Sequence, residues 1–184
     1  FSKDITKIHE EIFLVSLKNK DLSSTRSGAF TYSWGNIYTK IKILSNYLEK
    51  IISKGDRCLL LSENSPEWLI SDLAIMNAGG VTVPLFTTYS EDDYKYIVND
   101  CEPKICIVSN SNQFKKIKKN KKENTIVISR YEFDEKIEFF KNIFSKDKWN
   151  DKTLTESIKN YNNKLTRNNL ACRIYTSGTI GNQI

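Results

Sequence analysis

The chain is poor in the residues from which metal centres and cross-links are built. It has one histidine, His9, and four cysteines, Cys58, Cys101, Cys106 and Cys172, with no C-x-x-C pair among them. That pattern argues against a zinc site. Three of the four thiols sit in or beside apolar runs, so they read as buried free cysteines of a reducing compartment. The longest apolar runs fall far short of a membrane span, and no signal peptide is visible. There is no G-x-x-x-x-G-K-[ST] loop of the common NTPases and no G-x-S-x-G nucleophile elbow. No segment repeats another.

What is present suits one globular domain. The chain has 184 residues, 39% apolar and 11% aromatic, enough to build a core and too aromatic for a disordered chain. It begins with Phe1 and stops soon after a glycine-rich loop, as expected of a piece of a longer polypeptide. The net charge of +6 is concentrated in "KKIKKNKKE", which holds Lys115, Lys116, Lys118, Lys119, Lys121 and Lys122. Without these six the 28 basic residues fall to 22, equal to the 22 acidic ones. The run could be a patch for nucleic acid or an anionic membrane. It lacks the interleaved aromatics of a single-strand binder, and the favoured reading is an exposed, mobile surface segment without a dedicated ligand.

Helical and strand periods alternate along the chain. Ile5, Ile8, Ile12 and Val15 form a stripe that predicts a helix over Asp4 to Lys18. "FTYSW" reads as a short strand leading into a helix that carries Ile37, Ile41, Leu44, Leu48 and Ile51 and stops near Gly55. In "ENSPEWLISDLAIMNAGG", Ser65 can cap, Pro66 suits the first helical position and Glu67 complements the helix dipole. Ser90 and Asp93 are spaced as a capping box. Strands are predicted near Cys58–Leu61, Val81–Val83, Ile105–Val108 and Thr125–Ile128. The βαβ spacing predicts an α/β fold, a parallel-stranded sheet covered by helices. Beyond Ser129 an amphipathic helix through Ile137, Phe140 and Phe144 is expected, and "LACRIY" reads as a last strand.

That strand feeds "TSGTIGNQI". Glycines let backbone N–H groups turn toward an anion, and hydroxyls add donors. By composition this is a phosphate site or an ordinary turn. The order of residues resembles the adenylate-forming ligases, whose usual run is YTSGTTG-x-PKG. The "GDRCLLLSENSPEWLISDLAIMNAGGVTVPLFTTYSEDDYKYIVNDCEPKICIVS" stretch is similar to their long-chain fatty acyl-CoA synthetase branch, and "YSWGNIYTKI" and "NNLACRIYTSGT" match it too. The similarity covers roughly residues 30 to 110 and 168 to 181.

This resemblance implies part of the large N-terminal domain of such a ligase over residues 1–184, cut within its phosphate-binding loop and lacking the C-terminal domain. The implied reaction joins a fatty acid to AMP from Mg·ATP, releasing pyrophosphate, and then passes the acyl group to coenzyme A. Carried over by position, phosphate binding falls on Thr176, Ser177, Gly178, Thr179 and Gly181. No catalytic residue and no metal ligand is assigned. Ile180 replaces the family's second threonine, and Gln183-Ile184 replaces its Pro-Lys pair. The fragment alone is expected to be inactive. The implied partners are fatty acid, ATP with Mg²⁺, and CoA, not nucleic acid. The implied location is intracellular, cytosolic or peripheral to a membrane such as the endoplasmic reticulum. The alternatives are a truncated, non-catalytic binding module and, more weakly, a basic nucleic-acid-binding α/β domain. Trp68 and Met76 read as core, Asn64 and Ser65 as turn and cap, Glu67 as a surface residue, and His9 as inert. Ser177 has no neighbouring base and is not a nucleophile.

Overall fold

The computed structural model of the chain describes residues 12–17, 29–134, 137–145 and 168–176. An antiparallel pair comes first, β1 (Ile12–Leu17) on β2 (Ala29–Ser33), with an irregularity between Ile12 and Leu14. The helix α1 (Trp34–Leu48) follows at once. Then β3 (Arg57–Leu61), α2 (Pro66–Asn77), β4 (Val81–Leu85), α3 (Glu91–Cys101), β5 (Ile105–Val108), α4 (Ser111–Lys118) and β6 (Ile126–Ser129) alternate. The short β7 (Glu138–Phe139) and α5 (Phe140–Ser145) complete the described elements.

Local chemistry sets the helix starts. Side chains of Ser33, Ser65 and Asn110 accept from backbone N–H groups at the heads of α1, α2 and α4. At α3, Ser90 and Asp93 bond each other's backbone reciprocally. Each cap satisfies donors that the first helical turn leaves without partners. Gly79, in the left-handed region at φ +83°, turns the chain out of α2. A Cβ on Gly80 would lie 2.9 Å from Ile52 Cδ1 and 3.0 Å from Ile75 Cγ2. Glycine there lets α2 pack flush against the start of β4.

The five strands β3 to β7 form one parallel sheet in the order β4-β3-β5-β6-β7. Side chains alternate across it. Cys58, Leu60, Ile105, Ile107 and Ile128 face a core shared with α1, α2 and α5. Leu59, Leu61, Val83, Leu85, Cys106, Val108 and Val127 face a second core with α3 and α4. The strands are buried on both faces, as their continuous apolar runs require. Each such Leu or Ile contributes about 1.5–3 kcal/mol by leaving water.

The α/β architecture and the four expected strands are present. Three local expectations are corrected. Residues 12–17 of the expected first helix are a strand, because β2 supplies a ladder that a stripe of isoleucines does not reveal; residues 1–11 lie outside the described residues. The expected helix through Ile137 splits into β7 and α5, since Ile128 and Ser129 of β6 offer a free edge to Glu138 and Phe139. The lysine run is not a loose loop at its start. Lys115, Lys116 and Lys118 belong to α4, held down by buried Phe114 and Ile117, the two apolar residues that give the run its amphipathic period. Trp68 packs against the first core, half-buried. Among the described residues no helix is long and apolar enough to cross a membrane.

Candidate functional site

Open α/β sheets place ligands outside the carboxyl ends of their strands, above all where the strand order reverses. Here β4 lies on one side of β3 and β5 on the other, so the reversal falls between β3 and β5. The crevice there is filled by the chain itself. Arg130 Nη2 lies 3.0 Å from Glu67 Oε2, with the two side chains 28% and 13% exposed. The Tyr32 hydroxyl reaches the other Glu67 oxygen at 3.4 Å. Glu67 is therefore an ion-paired interior residue, not the surface residue that its helix position suggests. The remaining cavity, beside Ser62, Ser71 and Ser109, is about 10 Å³, room for one water at most. Across this crevice the Glu67–Arg130 pair braces α2 against the end of β6.

A second carboxyl-end position lies at the outer edge beyond β4. Thr82 N–H donates to the Ala171 carbonyl (3.0 Å) and Arg173 N–H donates to the Thr82 carbonyl (2.8 Å). The pairing of Thr82 with Cys172 is parallel. The expected last strand is thus a single bridge that continues the sheet outward from β4. Its parallel direction carries Tyr175 and Thr176 to the carboxyl edge. Leu170 and Ile174 are exposed, whereas Tyr175 is buried in the second core.

Tyr175 is held from three sides. Its hydroxyl donates to Asp100 Oδ2 on α3, and Arg173 Nη2 donates to the same oxygen at 2.6 Å. Arg173 and Tyr175, two residues apart on an extended segment, point the same way, and the guanidinium lies 5.0 Å from the ring centroid. The ring packs nearly perpendicular to that of Tyr96, with centroids 6.2 Å apart. The Tyr175 carbonyl accepts from the Tyr89 hydroxyl at 3.1 Å. Tyr89 sits in the β4–α3 connection against Phe86 and Tyr94. That connection is fastened from α4, where Lys116 Nζ donates to the Thr87 carbonyl at 2.6 Å. Burial, and then the bond to Asp100, push the Tyr175 phenol upward, so it stays a protonated donor at neutral pH.

Of the expected phosphate-binding residues, Thr176 is exposed at this edge. Ser177, Gly178, Thr179 and Gly181 lie outside the described residues. By composition the stretch from Ile174 to Ile184 suits an anion, since it carries hydroxyls and backbone N–H groups and no acidic side chain; at Tyr175 the Asp100 charge is offset by Arg173. Among the described residues no group of three His, Cys, Asp or Glu is placed to hold a metal. Cys58, Cys101 and Cys106 are buried and Cys172 is exposed. Burial pushes the Cys58 and Cys101 thiols up to about 12 and moves Cys106 upward too, which makes them poor nucleophiles. Sequence reasoning missed Asp100, Tyr89, Arg173 and Lys116. Only the i, i+2 spacing of Arg173 and Tyr175 hinted at a shared partner.

The AMP-binding enzyme family model matches residues 13–183, from the first strand into the closing loop. The chain belongs to the AMP-binding enzyme family. Among curated proteins it is 26% identical over 170 residues to the long-chain-fatty-acid–CoA ligase ACSBG1 of Bos taurus, covering 82% of this chain and 22% of that protein. It is 29% identical over 163 residues to the long-chain-fatty-acid–CoA ligase ACSBG2 of Mus musculus, covering 82% and 24%. The chain thus spans about a quarter or less of the length of these relatives. The same fold appears in the anthranilate CoA ligase AuaEII, solved with anthranoyl-AMP, at a TM-score of 0.62 and 18% identity over 77% of this chain and 26% of that one. It appears again in apo MatB from Rhodopseudomonas palustris, at 0.58 and 22% over 83% and 28%.

Proposed function

We propose that this chain is the beginning of the nucleotide-binding half of an ATP-dependent long-chain fatty acid–CoA ligase. Its own contribution is the loop Thr176, Ser177, Gly178, Thr179 and Gly181, which binds the β- and γ-phosphates of ATP. The observation that supports the reading is the family match over residues 13–183, together with the position of Thr176 at the carboxyl edge of the sheet. The carboxylate of a fatty acid attacks the α-phosphorus of ATP, the bond to the bridging oxygen breaks, and pyrophosphate leaves. The thiol of CoA then displaces AMP and forms the thioester. The loop's hydroxyl and backbone donors stabilise charge that develops on the departing pyrophosphate. Mg²⁺, when bound, neutralises phosphate charge, and its ligands belong to a part of the enzyme outside residues 1–184.

In this reading residues 1–184 are part of a larger N-terminal domain, and the segment alone is inactive because the adenine site and the second domain are elsewhere. The protein works inside the cell, in the cytosol or at a membrane surface such as the endoplasmic reticulum. This reading includes no nucleic-acid partner, and two lysines of the basic run have contacts within the fold, Lys116 with the Thr87 carbonyl and Lys122 with Glu102. Ile180, Gln183 and Ile184 favour one second reading, a non-catalytic relative that binds an anion without turning it over. ATP–pyrophosphate exchange in the full-length protein decides between them. Exchange that depends on a long-chain fatty acid supports the ligase, and its absence beside measurable ATP binding supports the second reading. Exchange by the 184-residue segment alone would overturn the division of labour.

A further inference from the structure

We propose that Asp100 and Tyr89 are positioning residues for the phosphate-binding loop, gripping Tyr175 by its hydroxyl and its carbonyl so that Thr176, the loop's first residue, is presented in one direction. This rests on the reading of residues 176–181 as a phosphate site.

The edge needs such a grip. Residues 171–173 join the sheet through one bridge and two backbone bonds to Thr82. Leu170 and Ile174 on either side are more than half exposed. So short a ladder does not define the direction of the chain that follows it. Three side-chain attachments on Tyr175 do. Asp100 Oδ2 accepts from both Arg173 and Tyr175, which ties two successive same-side residues to one point on α3. The Tyr96 ring packs against that of Tyr175 nearly at right angles.

Tyr89 supplies the third attachment and acts on the backbone itself. No peptide bond in the described chain is cis. In a planar trans peptide the carbonyl of one residue and the N–H of the next point in opposite directions. By holding the Tyr175 carbonyl at 3.1 Å, the Tyr89 hydroxyl sets the direction of the Thr176 N–H, the first backbone donor of the loop. Preorganised donors are worth more than donors that must be turned into place at the moment of reaction. Arg173 completes the arrangement by offsetting the Asp100 charge, so the clamp adds no net negative charge beside an anion.

The test uses the full-length enzyme with Tyr89→Phe, Tyr175→Phe, Asp100→Ala and Asp100→Asn. Tyr89→Phe and Tyr175→Phe each remove one hydroxyl, so neither threatens folding. The first readout is amide hydrogen exchange without nucleotide. Tyr89→Phe, Tyr175→Phe and Asp100→Ala should speed exchange over residues 176–181 about tenfold, the effect of losing one good hydrogen bond, and leave β3 and β5 unchanged. Asp100→Asn, which keeps an acceptor for Tyr175, should recover part of the protection. The second readout is steady-state kinetics. KM for Mg·ATP should rise by about the same tenfold factor, with KM for the fatty acid unchanged. Unchanged exchange at 176–181, or equal acceleration across the whole sheet, overturns the positioning role. A wild-type enzyme without pyrophosphate exchange overturns the ligase reading instead, while the amide measurements still decide the clamp.

Discussion

Removing Arg130 leaves the Glu67 carboxylate without its cation in a site where its side chain is 13% exposed. The Tyr32 hydroxyl also reaches that carboxylate, at a long 3.4 Å. Breaking a fully buried ion pair from one side costs about 3–5 kcal/mol. Arg130 is 28% exposed, so water enters part of the space it vacates. We expect Arg130→Met to cost about 2–3 kcal/mol, below the fully buried range. With a urea dependence of about 2 kcal/mol per molar, the unfolding midpoint should fall by roughly 1 M. The double variant Glu67→Gln/Arg130→Met has no stranded charge and should recover more than half of that loss. The assay is urea unfolding followed by tryptophan fluorescence, for which Trp68 beside the pair is a local reporter. A midpoint that moves by less than about 0.3 M in Arg130→Met, or a double variant no better than the single, would refute the idea that this pair braces α2 against β6.

The buried thiols make stability fall at alkaline pH. Cys58 and Cys101 titrate near 12 in the fold but near 8.5 when unfolded. The unfolded chain therefore loses its thiol protons first, and the stabilisation, complete below about pH 8.5, drains as pH rises toward 12. Cys101→Ala should flatten the alkaline limb of a stability–pH profile, and native thiol labelling should reach Cys172 well ahead of the other three. Along the lysine run the apolar residue matters more than the charge. Ile117→Ala should cost about 2–5 kcal/mol, whereas Lys118→Gln with Lys119→Gln should stay within about 0.5 kcal/mol, both read by chemical denaturation. A salt-sensitive nanomolar affinity for RNA that vanished in the lysine variant would overturn the assignment of that run to the fold.

What could be read along the chain was whatever is encoded within one turn or one strand. Ser65, Pro66 and the Ser90–Asp93 box announce their helices because capping partners lie within three residues. "RCLLL" and "ICIV" announce central parallel strands because burial on both faces demands an unbroken apolar run. The order Tyr-Thr-Ser-Gly-Thr after an apolar strand placed the candidate loop by resemblance to a family. Partners distant in sequence were left to the tertiary structure. Residues 12–17 carry apolar side chains that suit a helix or a strand alike, and the presence of β2 decides for the strand. Glu138 and Phe139 leave a helical period because β6 has an open edge. Glu67 matches a helix dipole on paper, yet Arg130, sixty-odd residues later in the chain, draws it inward. Asp100 meets Tyr175 across 75 residues, and no local pattern marks either as the other's partner. Hydrogen bonds within a turn depend on neighbours in sequence, whereas strand order and buried charge pairs depend on which surfaces the packed sheet brings together.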